Sequence, residues 1–289
     1  MIQLPSVTRA NPLLYKEKPF DLANFVKTEN KIKANFSITR KMPDIDAIKQ
    51  AKELVVKSRK IIALTGAGIS VDSGIPDFRS EGGLWERYDP HEYATVESFM
   101  RNPTKFWTMG RELAETILKA EPNSAHESLA KLEKDGKLIG VITQNIDNLH
   151  QAAGSERVVE LHGNYLRAYC IECNAEYVGE TVHQSVVNGE IPPRCEKCNG
   201  VLKSEAILFG EPLPETAMSE AAELCRTTDL ILVIGTSLTI YPAAFLPQLA
   251  KNSGAKVILV NLEGVNRDSV ADIVIKGRAT EVIPKLVDY

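Results

Sequence analysis

Long apolar runs are missing from this chain of 289 residues. None approaches the roughly 18 residues needed to span a bilayer, which excludes a helical membrane protein. A compact N-terminal apolar segment with a small-residue cleavage site is missing too, so secretion is not expected. No charge sign dominates: the net charge of −4 offers nucleic acid or an anionic membrane no general attraction. Internal repeats and low-complexity tracts are absent. Cysteine is scarce, with five residues, yet four of them form two Cys-x-x-Cys pairs. Without a secretion signal, that spacing favours a bound metal over disulfides, and a reducing, cytoplasmic setting follows.

What remains is ordinary for a globular protein, with 44% apolar and 25% charged residues. The length suits one large domain, or a large domain with a small satellite. Residues 1–43 stand apart, with eight basic residues against three acidic ones and poor periodicity. They read as a solvated extension; an arm that contacts a partner or covers an active site is the other reading. The acidic residues and few serines count against a mitochondrial transit peptide.

The folded body is expected from Pro43-Asp44 onward. Ile45, Ile48, Ala51, Val55 and Val56 recur at helical spacing ahead of a buried strand, Ile61-Ile62-Ala63-Leu64. The stretch Thr65 to Arg79, TGAGISVDSGIPDFR, then turns sharply through Gly66, Ala67 and Gly68. Such a turn leaves backbone N–H groups unpaired and lets a pyrophosphate approach closely. Residues 81–100 read as a mobile segment with short helical pieces. Asn102-Pro103 is a cap with a first-turn proline, followed by the buried stripe Phe106, Met109, Leu113 and Ile117. Ser124-x-x-Glu127 has the spacing of a capping box, with Leu129 and Leu132 inward.

Further buried strands are expected at 138–143, 158–161, 230–234, 257–260 and 273–275. Polar clusters follow several of them: Gln144 to His150, His162-Gly163-Asn164, Gly235-Thr236-Ser237 and Asn261-Leu262-Glu263. Strands alternating with helices predict an α/β fold, a parallel sheet with helices on both faces. Ligands in such sheets sit beyond the carboxyl ends of the strands, where these clusters lie.

Cys170-x-x-Cys173 and Cys195-x-x-Cys198 are 21 residues apart. Four thiolates about one zinc leave no open position, so the ion would be structural rather than catalytic. Cys225 reads as a buried core thiol.

Taken in order, Gly66-Ala67-Gly68-Ile69-Ser70, Gly74 to Arg79, Thr143-Gln144-Asn145-Ile146-Asp147, Leu161-His162-Gly163, the cysteine pairs, Phe209-Gly210-Glu211, Gly235-Thr236-Ser237-Leu238 and Asn261-Leu262-Glu263 resemble the sirtuins, NAD-dependent protein-lysine deacylases. The resemblance covers about residues 44–287. It implies a Rossmann-like NAD-binding body, residues 44–164 and 204–289, and a small zinc module, about 165–203. NAD would be a co-substrate, with its pyrophosphate over Gly66, Ala67 and Gly68. Asp77, Phe78 and Arg79 would form part of the reaction centre, with Asp77 and Arg79 placing the ribose and nicotinamide ends. Gln144 would contact the nicotinamide ribose, and Asn145 and Asp147 would line the nicotinamide pocket and orient the sugar. Gly235, Thr236, Ser237, Asn261, Leu262 and Glu263 would hold the adenosine half, with Ala279 near the adenine.

The implied reaction starts when the acyl-lysine oxygen displaces nicotinamide. His162 is the implied general base for the ribose hydroxyl, since imidazole titrates near neutrality. Free lysine, nicotinamide and O-acyl-ADP-ribose would result, so the enzyme is a transferase acting on NAD. The acylated lysine of a protein substrate would dock as a strand between Leu208-Phe209-Gly210-Glu211 and the segment near Leu238 to Pro242. His150 reads as a supporting residue and His126 as a helix-start residue.

Two departures stand out. Lys203-Ser204-Glu205 occupies the place of the family's usual Arg-Pro-Asp or Arg-Pro-Asn. Gly110 and Leu113 stand where sirtuins that prefer acidic acyl groups carry a Tyr-x-x-Arg pair, which points to acetyl or longer apolar acyl groups.

Rival readings predict other residues. A dehydrogenase calls for Gly-x-Gly-x-x-Gly, and Val71 occupies the third glycine's place. A zinc ribbon for nucleic acid calls for a basic face, but the module carries Glu172, Glu176, Glu180, Glu190 and Glu196; direct nucleic-acid binding is not expected. A sirtuin-fold ADP-ribosyltransferase or NAD glycohydrolase would use the same cofactor pocket; His162 and the docking segments favour deacylation.

Overall fold

Runs rich in Ile, Leu and Val become strands here because both faces of a parallel sheet are covered. In the structure, a computed structural model, residues 45–78, 83–178, 180–263 and 268–288 are described. The extension expected over residues 1–43 lies outside the described residues, as does Arg79.

Helix α1 (Ile45–Lys57) leads into β1 (Ile61–Thr65). Two short 3₁₀ turns, Ala67–Ile69 and Val71–Ser73, carry the glycine-rich stretch, which ends at Gly74 with φ +90°. Four helices follow: α2 (Leu84–Arg87), α3 (Pro90–Tyr93), α4 (Val96–Arg101) and α5 (Pro103–Ile117). Then come α6 (Ser124–Lys134), β2 (Leu138–Thr143), α7 (Leu149–Ala152) and β3 (Val158–Glu160). The cysteine region holds β4 (Arg167–Cys170), β5 (Glu176–Val178), α8 (Glu180–Val187) and β6 (Leu202–Ser204). The chain closes with α9 (Glu215–Thr227), β7 (Leu230–Ile234), α10 (Leu246–Asn252), β8 (Lys256–Asn261), β9 (Ile273–Lys276) and α11 (Ala279–Val287). No helix among the described residues is long and apolar enough to cross a membrane.

The main sheet has the order β3-β2-β1-β7-β8-β9, parallel throughout. Its order reverses between β1 and β7, which opens a crevice at the strands' carboxyl ends. Register aligns those ends: Thr65 pairs with Thr143 and Ile234, and Thr143 with Glu160. Alternate residues of β1 feed two cores. Ile61 and Ala63 pack with Leu129, Val282 and Ile283 on one face. Ile62 and Leu64 pack with Ala221, Leu224 and Leu246 on the other. Burial of a large aliphatic side chain contributes about 1.5–3 kcal/mol, so these faces dominate the stability. A third core, around Phe99, Phe106 and Trp107, joins α5 to the cysteine region. There Trp107 Nε1 donates to the Leu202 carbonyl at 2.8 Å.

Two local expectations need correction. Asn123 caps α6 instead of Ser124: its side chain accepts from Ala125 N at 3.0 Å, and its own N–H donates to His126 Nδ1 at 3.3 Å. The reciprocal box therefore starts one residue earlier and uses imidazole in place of Glu127. On α1, Ala51 and Val55 are buried, whereas Ile45 and Val56 are 77% and 47% exposed. Val56 is rotated about 100° from Val55, off the single covered face; Ile45 lies in the first turn.

Candidate active site

The carboxyl ends of β1 and β2 stand on a floor of buried polar side chains. Thr65 Oγ1 lies 2.9 Å from both Thr143 Oγ1 and His150 Nε2. Thr143 Oγ1 accepts from Asn145 N at 3.0 Å. Ser70 Oγ donates to Asp147 Oδ2 at 2.7 Å and accepts from Asn145 Nδ2 at 3.1 Å. Leu149 N donates to the other Asp147 oxygen at 3.0 Å. Asn145 and Asp147 are thereby locked side by side, both buried. Burial raises the Asp147 pKa, while the bonds from Leu149 and Ser70 oppose that shift. His126 and His150 pack edge to face, 4.9 Å between ring centroids. Burial pulls their pKa values down to about 4 and about 3. Both rings are therefore neutral at pH 7 and serve as dipolar supports.

The glycine loop lies over this floor. Its two glycine amides are not free, contrary to expectation: Gly66 N donates to the Ile234 carbonyl at 3.0 Å and Gly68 N to the Gly235 carbonyl at 2.9 Å. The loop is stitched onto the end of β7, and that close approach needs glycine. A Cβ at Gly66 would lie 2.8 Å from Thr236 Cβ, and one at Gly68 would lie 2.8 Å from Gly235 Cα. The same pair of residues receives Gln144, whose Nε2 donates to Thr236 Oγ1 at 2.9 Å. Asp72, just past the loop, meets Arg278 at 2.6 Å and Thr280 Oγ1 at 2.5 Å, at the start of α11 beside Ala279. Gly277 N bonds the Asn261 carbonyl. Ser237, Leu262 and Glu263 are exposed at the same edge. Asp77 and Phe78 are half-buried on the loop's far side.

His162 is half-buried just beyond β3, with Nδ1 2.9 Å from the Gln144 carbonyl. A carbonyl only accepts, so Nδ1 carries a proton, and in the neutral ring the lone pair falls on Nε2. His162 also holds a neighbouring segment by its backbone, since Ile207 N donates to its carbonyl at 2.9 Å. That segment leads into Leu208, Phe209, Gly210 and Glu211. Phe209 pairs as a parallel bridge with Thr95. A run of aromatic rings, Phe78 to Trp85 at 5.2 Å and Trp85 to Phe209 at 6.1 Å, links the glycine loop to it.

The four cysteine sulfurs of residues 170, 173, 195 and 198 all lie within 4.8 Å of one another. Zn–S bonds of about 2.3 Å require tetrahedral S···S separations near 3.8 Å, so one zinc fits this set. Each knuckle closes in the same way: Asn174 N bonds the Cys170 carbonyl and Asn199 N that of Cys195, with both asparagines at positive φ. Tyr177 Oη donates to Cys195 Sγ at 3.1 Å. Cys225 is a buried core thiol.

Ser70, Thr65 and Asn123 belong to the site's support but were not assigned roles from sequence. Asn123 Nδ2 donates to the Ile69 carbonyl at 2.8 Å and to Ser73 Oγ at 3.0 Å, fastening α6 to the loop. Ser70 follows Gly66-Ala67-Gly68-Ile69 in the chain, but its partner Asp147 is 77 residues away.

The Sir2 family model matches residues 66–242. The chain is 47% identical over 236 residues to NAD-dependent protein deacylase 2 of Pyrobaculum aerophilum, covering 82% of this chain and 93% of that protein. It is 41% identical to the solved structure of Sir2Af2 bound to a myristoylated histone peptide, with a TM-score of 0.73 over 84% of this chain and 95% of that one. A Sir2 complex with a p53 peptide and NAD+ gives 39% identity and a TM-score of 0.75, over 83% and 96% of the two chains. On these matches, the chain belongs to the Sir2 family.

Proposed function

We propose that this NAD-dependent protein deacylase removes acyl groups, acetyl foremost, from protein lysines, with His162 as general base. The observation that carries the assignment is the His162–Gln144 hydrogen bond. It keeps a proton on Nδ1, so in the neutral ring Nε2 is the nitrogen that takes a proton from a ribose hydroxyl. NAD, when bound, supplies the ribose carbon that takes up the acyl oxygen as nicotinamide leaves. Free lysine, nicotinamide and O-acyl-ADP-ribose are the products.

Each part of the crevice has one task in this reading. Gly66, Ala67 and Gly68 admit the pyrophosphate because they present no bulk. Gln144 meets the nicotinamide ribose, and Asn145 and Asp147 orient the sugar and line the nicotinamide pocket from a pre-formed hydrogen-bonded floor. Asp77, Phe78 and Arg79 belong to the reaction centre, with Asp77 and Arg79 placing the ribose and nicotinamide ends. Gly235, Thr236, Ser237, Asn261, Leu262, Glu263 and Ala279 hold the adenosine half. Leu208 to Glu211 takes the peptide by strand pairing. The body is residues 44–164 and 204–289, and the module at 165–203 holds one structural zinc. Thiolates that must stay reduced suit an intracellular setting.

Acyl preference follows from packing. Tyr165 Oη donates to the Gly110 carbonyl at 2.7 Å, and a Cβ at Gly110 would lie 2.5 Å from that oxygen. A side chain at position 110 would displace the Tyr165 hydroxyl, and Leu113 is apolar and buried. A dicarboxylic acyl chain would bury an unpaired carboxylate, which is costly. The myristoylated peptide bound by a relative agrees with tolerance of long apolar chains.

The test incubates the protein with NAD and acetylated, succinylated and myristoylated peptides. Acetyl and myristoyl removal with little desuccinylation is expected. Nicotinamide release without peptide deacylation would instead establish an ADP-ribosyltransferase or NAD glycohydrolase.

A further inference from the structure

Lys203 is the charged side chain that the reaction scheme leaves without a task. It sits in β6 at 4% exposure. Its Nζ donates to the carbonyls of Ser204 and Ala206, both at 3.1 Å, and pairs with Glu211 Oε2 at 3.0 Å. An ammonium has three donors, and all three are used. The Tyr169 ring lies 5.7 Å from Nζ.

These contacts curl residues 204–211 around one cation. Glu211 Oε2 also accepts from Leu208 N at 2.7 Å, and Glu211 N returns a bond to the Leu208 carbonyl. Glu211 is therefore oriented by Lys203 at one end of the docking segment and closes a tight loop at the other. The same curl reaches the base. Glu205 O would lie 2.1 Å from a Cβ on Gly163, and Ile207 N bonds the His162 carbonyl. Arg167 secures Glu205 at 2.7 Å and Glu160 at 2.5 Å. On its outer side the segment is held by Phe209 N to Ala94 O and Val96 N to Phe209 O. Lys203 supplies the inner tie.

We propose that Lys203 is a positioning residue for the peptide substrate, its buried ammonium holding Leu208 to Glu211 in docking register beside His162. This rests on the reading of Leu208 to Glu211 as the docking segment. Lys203 touches no reacting atom in this scheme, so its loss acts on peptide affinity and leaves the NAD crevice intact. Removing one partner of a buried ion pair strands the other, and the loop must rearrange to rehydrate Glu211.

The test compares the zinc-loaded full chain with Lys203→Met, Lys203→Arg, Glu211→Gln and Phe209→Ala. Kinetics with an acetyl-lysine peptide are measured alongside NAD affinity, zinc content and Tm. Lys203→Met is expected to raise the peptide KM about tenfold or more while NAD affinity and zinc content stay within about twofold. Lys203→Arg keeps the charge and should recover most of the loss. If Lys203→Met does not fold, Glu211→Gln, which keeps shape and removes the charge, must raise the peptide KM about tenfold. A peptide KM within about twofold of the parent, or NAD affinity falling in step with peptide affinity, overturns the proposal. Phe209→Ala separates the two levels. If it raises the peptide KM and Lys203→Met does not, only the Lys203 role fails. If neither moves it, the docking reading fails as well.

Discussion

Ser70 Oγ donates to Asp147 Oδ2 at 2.7 Å, joining the glycine-rich loop to the end of the neighbouring strand. The same hydroxyl receives Asn145 Nδ2 at 3.1 Å, so one serine orients both residues assigned to the nicotinamide pocket. Ser70→Ala removes a bond to a buried carboxyl group, worth about 1.5–3 kcal/mol where that group is charged. Single-turnover nicotinamide release should fall about 10- to 100-fold. Release at the parent rate would show that the floor does not depend on Ser70.

The two buried histidines make stability depend on pH. Folded, their pKa values are pulled down to about 4 and about 3, whereas unfolded imidazole titrates near 6.5. Above pH 6.5 both states are neutral and stability is full. As the pH falls from 6.5 towards 4, the unfolded chain takes up protons that the fold refuses, so stability is lost. Each histidine should account for about 1.4 kcal/mol of that loss by pH 5.5. Asp147 acts in the opposite sense, because its raised pKa makes acid relieve its burial. Urea unfolding of the parent and His150→Asn at pH 7.5 and 5.5 measures the effect. The loss should be smaller in the variant, and equal losses would contradict the assignment.

Zinc should hold the cysteine region together and act on catalysis only through it. Chelation, or Cys173→Ser, should lower Tm by roughly 10 °C or more, because binding free energy at such sites is folding free energy. Peptide turnover should be lost with it, since β6 runs directly into the docking segment. Metal content, Tm and turnover measured on one preparation check this; turnover that survives complete zinc loss would contradict it.

The six strands of the main sheet and the polar clusters at their ends were legible because apolar runs alternate with helices in the chain, whereas the strand order was not. The cysteine set was legible because its ligands sit in short fixed spacings. Contacts between distant residues were not. The glycines looked like bearers of free amides, yet Gly66 N and Gly68 N are spent on the end of β7. That pairing joins residues some 170 positions apart, which no local pattern encodes. His126 is the helix-start residue it looked like, accepting from Asn123 N at the start of α6, but its packing on His150 under the site was not legible. The cap fell one residue early because imidazole can close a box that the Ser-x-x-Glu pattern assigns to a carboxylate. Lys203 stood out only as a departure, and its three bonds appear once the chain folds around it.

If His162 is the base that acts after nicotinamide leaves, His162→Ala separates the two halves of the reaction. Rapid-quench assays with NAD and an acetylated peptide follow nicotinamide release and free-lysine formation separately. The variant should form free lysine about 10²–10⁴-fold more slowly while still exchanging labelled nicotinamide into NAD in the presence of peptide. Free-lysine formation within about tenfold of the parent, or exchange lost together with deacylation, would contradict this role for His162.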